Sequence, residues 1–337
     1  MRKLVISVAM IAMMFAAVVA GAQSAGDWYN KAIDEEDFEK KIEYYTKAIE
    51  LDPGFVWAYE NRGGVYKRLG RYDEAIADYL KAIELDPGKT SVYYNLGNTY
   101  CDLGRYDEAV TIYTKGIESD PEFLYLYNSR GIANENLGRY DEAIADYTTA
   151  IELDPEFQYS YFNRGYMYRK LGRHDEAISD YTKAIELDPD YAKAYNNRGC
   201  AYRDLGQHDE AIADFTKVIE LIPGFAGAYN NRGWVYYLMG DYTRALEDVT
   251  ISLDLDPDDA YALDDRANIY RELGRYDEAM EDIENAIELE PDAEWAYSTR
   301  GLIYTDMGDI IKAKADLIKA CDMGDEEACD ALDELGN

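Results

Sequence analysis

All eight prolines fall on one arithmetic series: Pro53, Pro87, Pro121, Pro155, Pro189, Pro223, Pro257 and Pro291, each 34 residues after the last. A period held that strictly means a stack of like supersecondary units, because one such unit cannot bury its apolar face alone and must lean on its neighbours. The 337 residues therefore predict one extended domain rather than two or three closed ones.

Eight full repeats start at Val56, Thr90, Leu124, Gln158, Ala192, Ala226, Ala260 and Glu294 and are numbered 1 to 8, with slots counted from each start. Slots 4, 7, 8 and 11, which are Tyr195, Arg198, Gly199 and Tyr202 in repeat 5, recur at i, i+3, i+4 and i+7 and predict the buried stripe of a first helix. Glycine at slot 15, from Gly70 to Gly308, predicts a left-handed turn that only a residue without Cβ adopts freely. A second helix should bury slots 20, 24 and 27, such as Ala75, Tyr79 and Ala82, and stop at Asp86-Pro87, since the residue before proline is pushed out of the α region.

These residues resemble the tetratricopeptide-repeat (TPR) family over about Asp27 to Asp325: Tyr-x-x-x-Gly-x-x-Tyr, then Gly-Arg-Tyr-Asp-Glu-Ala-Ile, then Ala-Ile-Glu-Leu-Asp-Pro, as between Tyr59 and Pro87. Repeats 1, 4 and 5 match best, while repeat 6 has Val249 and Ser252 in slots 24 and 27 and repeat 7 has Ala267 in the glycine slot. The resemblance implies an all-α fold, a right-handed superhelical α-solenoid of helix-turn-helix repeats, whose concave face holds peptides or partner proteins. One subgroup of the family grips a C-terminal carboxylate with lysine at slot 5. Here that slot holds no lysine in any repeat, so the activity does not carry over. Cysteine-rich relatives tie one helix end to the next helix start, which implies a Cys321–Cys329 disulfide.

Residues 1–22 read as a cleavable secretory signal: a basic start at Arg2 and Lys3, an apolar run from Leu4 to Val19, and the small residues Ala20, Gly21 and Ala22. Left uncleaved, the run would anchor the chain in a membrane. The chain is therefore expected to be exported, whether periplasmic, envelope-associated or secreted. Residues 23–55 form a degenerate repeat that caps the stack, 56–325 hold the eight repeats, and 326–337 form a C-terminal capping helix and tail.

Without Arg2 and Lys3 the chain carries 32 basic and 68 acidic residues, a charge of −36 that disfavours nucleic acid and anionic lipid. The first fourteen slots of the eight repeats total +5, which leaves −41 elsewhere, mostly on second helices. Helix geometry puts slots 2, 5, 9, 12 and 13 opposite the slot 4, 7, 8 and 11 stripe. There the sequence collects Trp57, Tyr94, Tyr125, Tyr159, Phe162, Tyr166, Arg169, Arg203, Trp234, Tyr237, Tyr261, Arg271 and Trp295. Rings and arginines are what a protein-binding surface is rich in. A groove centred on repeats 4 and 5, with first-helix charges of +3 and +2, should take an acidic or neutral segment with aromatic anchors.

Catalytic constellations are missing. His174 and His208 both stand in slot 17, a packing position, and Asp254-x-Asp256-x-Asp258 lacks the glycine of a calcium loop. No cofactor or metal is expected, and the chain reads as a non-enzymatic scaffold outside the cytoplasm whose groove takes a peptide or protein partner. The alternative is a structural solenoid acting through its acidic outer surface, as a spacer or cation-binding layer. Finally, slot 7 is arginine and slot 23 aspartate in the same seven repeats, while repeat 2 loses both together, to Leu96 and Ile112. Equal distances from the turn predict a ladder of Arg–Asp bridges within repeats.

Overall fold

The computed structural model describes residues 23–336, so the leader expected over residues 1–22 lies outside the described residues. Within them the chain is an all-α helical repeat solenoid of nineteen helices, with no strand. It forms two compact units, one through residue 160 and one from residue 161. The first holds α1 (Ala25–Asp34) and α2 (Phe38–Leu51), then three hairpins: α3 (Val56–Arg68) with α4 (Tyr72–Leu85), α5 (Thr90–Asp102) with α6 (Tyr106–Ser119), and α7 (Leu124–Asn136) with α8 (Tyr140–Leu153). α9 (Gln158–Lys170) begins there and continues into the second unit. That unit adds α10 (His174–Leu187), then α11 (Ala192–Asp204) with α12 (His208–Leu221), α13 (Ala226–Leu238) with α14 (Tyr242–Leu255), α15 (Ala260–Glu272) with α16 (Tyr276–Leu289), α17 (Glu294–Met307) with α18 (Ile310–Met323), and α19 (Glu326–Glu334). The division lies inside the run of repeats that the sequence groups together. Nothing in the sequence marks it, because the repeat register runs through α9 unchanged and contacts in a stack join only adjacent hairpins.

The slot 15 glycines take φ between +69° and +81°, so each hairpin turns through a left-handed residue. Between repeats, the aspartate before proline also accepts a hydrogen bond from the backbone two residues on, as Asp86 does from Gly88 at 3.1 Å.

Burial corrects the expected stripe of the first helix. Slots 4 and 11 are only half-buried in most repeats, whereas slots 3 and 10 are buried in all eight, as with Ala194 and Ala201 in repeat 5. α11 packs against both α10 and α12, so a first helix is closed on two sides. In repeat 5 small residues line that second side, so a search for large apolar side chains passes over it.

On the second helix, slots 20, 24 and 27 are buried throughout, and the slot 24 ring lies over the slot 8 glycine. A methyl group on Gly97 would meet the Tyr113 ring at 2.2 Å.

Seven slot 7 arginines grip the slot 23 aspartate of their own repeat with short charged hydrogen bonds. Arg198 places Nε at 2.8 Å and Nη2 at 2.7 Å from the two oxygens of Asp214. Its Nη1 donates to Thr182 of the preceding repeat at 2.9 Å, and Arg62, Arg130 and Arg232 do likewise with Thr46, Thr114 and Thr216. Tyr195 and Tyr202 flank the guanidinium at 5.5 and 5.8 Å, which is why slots 4 and 11 stay half-open. At the far end a disulfide joins Cys321 to Cys329, and α19 lays Ala328, Ala331 and Leu332 on Tyr297, Leu317 and Ala320.

Candidate binding face of the first helices

In the unit through residue 160 the rings at slot 2 stand clear of the core: Trp57, Tyr125 and Tyr159 are 54%, 45% and 48% exposed. Tyr125 belongs to a run of contacting rings, Tyr94, Phe123, Tyr125, Phe157 and Tyr159, with centroids 5.4 to 6.3 Å apart. Phe123 and Phe157 were absent from the expected set. Their signal is an aromatic residue two positions after five of the eight prolines, as at Phe55, Tyr191 and Phe225 too. Tyr94 is half-buried and packs on the core. Trp57 carries the Lys89 ammonium over its ring, and that lysine pairs with Glu60 at 3.1 Å.

From residue 161 onward, Phe162 packs on Tyr181 and Tyr191 and so helps hold neighbouring helices together. Tyr166 lies under Arg169. Two ring pairs stack nearly flat, Trp234 with Tyr237 at 4.6 Å and Tyr261 with Trp295 at 4.8 Å, and Tyr261 remains 59% exposed.

The basic side chains are not the free charges that residue counting suggests. A slot 12 cation pairs with the slot 13 aspartate of the next repeat: Lys67 with Asp102 at 3.0 Å, Arg169 with Asp204 at 3.9 Å, Arg271 with Asp306 at 3.4 Å. Arg203 also leans on Asp204, and Arg271 on Glu272. The slot 7 bridges bring in Asp180 and Asp214 from outside the count and lower the excess of repeats 4 and 5 from +5 to +3, and Arg169 and Arg203 share Asp204. His174 and His208 are half-buried, and no group of residues fit for a metal occurs among the described residues.

One polar cluster stands out and was not singled out from the sequence. Asp264 and Asp265 are consecutive on α15, partly open by surface area yet crowded by protein on most sides. Asn268 Nδ2 donates to Asp264 at 3.2 Å and Asn230 Nδ2 donates to Asp265 at 2.7 Å. Burial, only partly offset by the Thr299 hydroxyl, the Arg271 charge and the Asn268 amide, pushes the Asp264 carboxyl up to about 7. Burial and the neighbouring Asp264 charge push Asp265 up to about 8. Between the ordinary carboxyl range and those values the folded chain holds protons that the unfolded chain has released, so stability falls as pH rises through 7 to 8. Melting temperature is expected to drop between pH 6 and pH 9, and the double variant Asp264→Asn, Asp265→Asn should flatten that slope. An equal slope in the variant would contradict the assignment.

Family models described as tetratricopeptide repeat match residues 32–55, 55–122, 125–157, 146–179, 192–225, 225–249, 239–299 and 296–323, and one described as TPR repeat matches 165–202. A Triticum aestivum Hsp70-Hsp90 organizing protein is 45% identical over 49 residues, 14% of this chain and 8% of its own length. The Homo sapiens small glutamine-rich tetratricopeptide repeat-containing protein beta is 38% identical over 60 residues, 18% of this chain and 20% of its own. The chain thus spans a fifth or less of these relatives. The solved APC/C hetero-tetramer Cut9-Hcn1 is 18% identical, with a TM-score of 0.60 and coverage of 94% of this chain and 67% of that one, a likeness of fold alone.

Proposed function

The chain belongs to the tetratricopeptide-repeat family, and from that premise we propose that it is a protein-binding scaffold that holds segments of partner proteins on its first-helix face. One observation carries the reading: Trp57, Tyr125, Tyr159 and Tyr261 each leave about half of a large ring exposed at the same slot, although the fold buries its slot 24 rings almost completely. Half-open aromatic anchors repeated at one slot of the first helices are what a partner surface would cover. A relative named for organizing Hsp70 and Hsp90 is in keeping with this class of work. Export is part of the proposal, supported by the basic start, apolar run and small residues of Met1 to Ala22.

The test is a pull-down from an envelope extract with wild-type protein and a Trp57→Ala, Tyr125→Ala, Tyr159→Ala variant. All three side chains are exposed, so the variant should melt within a few degrees of wild type while losing most of the retained partners. An unchanged set of partners would count against the face.

A further inference from the structure

We propose that the notch between α6, α7 and α8, in the unit through residue 160, is a site for one aromatic side chain, a tyrosine or phenylalanine of a bound segment, seated against the Arg130 guanidinium. The notch lies at slot 11, apart from slots 2, 5, 9, 12 and 13, so the inference does not rest on the binding face above.

Three observations carry it. First, slot 11 is tyrosine in seven of the eight repeats and asparagine, Asn134, in repeat 3. In repeats 1, 4 and 5 two rings flank the slot 7 guanidinium, as Tyr161 at 5.9 Å and Tyr168 at 5.8 Å flank Arg164. Arg130 keeps only Tyr127, at 5.7 Å, and borders a depression of about 430 Å³ instead of a second ring. Asn134 does not fill that space, because its amide leans back to donate to Asp146 at 3.2 Å. Second, the slot 16 arginine has moved. In repeats 1, 2, 4 and 7 it covers the slot 11 ring and pairs with the slot 19 glutamate, as Arg173 does with Tyr168 at 4.4 Å and Glu176 at 2.8 Å. With no ring to cover, Arg139 turns to Asp107 of the preceding repeat at 2.8 Å, and Glu142 keeps no arginine among the described residues. Third, the rest of the notch suits a ring. Val110, Thr114 and Ala145 wall it, and Arg130 has its edge taken, with Nε and Nη2 on Asp146 and Nη1 on Thr114. What the guanidinium still offers is its flat side, which stacks on aromatic rings.

The ring should carry no negative charge. Arg130 and Arg139 already have their carboxylates, and Glu142 stands at the notch as an anion without a cation, so a phosphorylated ring would meet repulsion. The other repeats also supply the control: Asn134→Tyr restores the ring that the fold carries at this slot elsewhere, and so fills the notch from within.

The experiment titrates the whole chain with short glycine-serine peptides carrying one central tyrosine, phenylalanine, leucine or phosphotyrosine, and follows the Arg130 Nε–H signal by NMR, which a ring stacked on the guanidinium shifts upfield. The tyrosine and phenylalanine peptides are expected to shift it and to bind about fivefold more tightly than the leucine peptide, the scale of one cation–ring contact. The phosphotyrosine peptide should bind no better than leucine. Asn134→Tyr should melt no lower than wild type and abolish the response, whereas Asn134→Ala, which leaves the notch open, should retain it. The Trp57→Ala, Tyr125→Ala, Tyr159→Ala variant should retain it too, which separates this site from the first-helix face. No response to the tyrosine peptide, equal binding of leucine, tighter binding of phosphotyrosine, or undiminished binding by Asn134→Tyr would each overturn the assignment. A response to free p-cresol but to none of the peptides would do the same, since the notch would then take a small aromatic molecule and not a segment of a partner.

Discussion

Replacing Asp214 by alanine is expected to destabilise the chain by about 3–5 kcal/mol, because it strands the Arg198 guanidinium inside the hairpin without its anion. The double replacement Arg198→Leu with Asp214→Ile should cost no more than about 1–2 kcal/mol, since it exchanges a buried pair for apolar groups of similar bulk. The chain contains that exchange already: repeat 2 has Leu96 and Ile112 in these slots, both buried. The ionisation of the pair points the same way, although its two members differ. Arg198 is held above its ordinary value because the Asp214 bridge outweighs burial, while burial pushes Asp214 up more than the bridge pulls it down. The carboxyl is the more enclosed member, 7% exposed against 15%, so its desolvation decides. The bridge therefore adds little net stability and matters chiefly when half of it is removed. Urea titration of the two variants measures the difference, and equal losses would contradict it.

A second large effect is expected at Gly97. Helix propensity alone would make Gly97→Ala stabilising by about 0.5–1 kcal/mol. Packing opposes it, because the new methyl would lie 2.2 Å from the Tyr113 ring. Overpacking of a closed core costs about 1–3 kcal/mol, so the net change should be a loss. Adding Tyr113→Ile should recover more than half of it, since that pair copies Ala267 and Ile283 of repeat 7, both fully buried. A gain of stability from Gly97→Ala alone would show that helix propensity rules at this slot.

Much of this was legible in the sequence. Strict spacing carries helix starts, and Arg–Asp co-occurrence carries the ladder, because a buried charge requires a partner and repeat 2 loses both members together. Less legible was whatever depends on a neighbouring helix at no fixed sequence offset. Ala194 and Ala201 look inert until α10 closes over them, and Thr182 gives no sign of its bond to Arg198. Charge counting failed for a related reason: Arg169 and Arg271 add to a basic total, yet each has its aspartate in the next repeat. Asp264 escaped notice because nothing in a single slot reports how enclosed a carboxyl becomes between α13 and α17.

The claim that the first-helix face is the working surface is tested most directly by photo-crosslinking. A benzophenone side chain would be installed singly at Tyr125 and Tyr261, and in parallel at Leu80 and Ile251, second-helix positions 46% and 40% exposed. Partner adducts are expected at Tyr125 and Tyr261 and not at Leu80 or Ile251. Adducts formed equally at both sets, or only at the second-helix positions, would contradict the account.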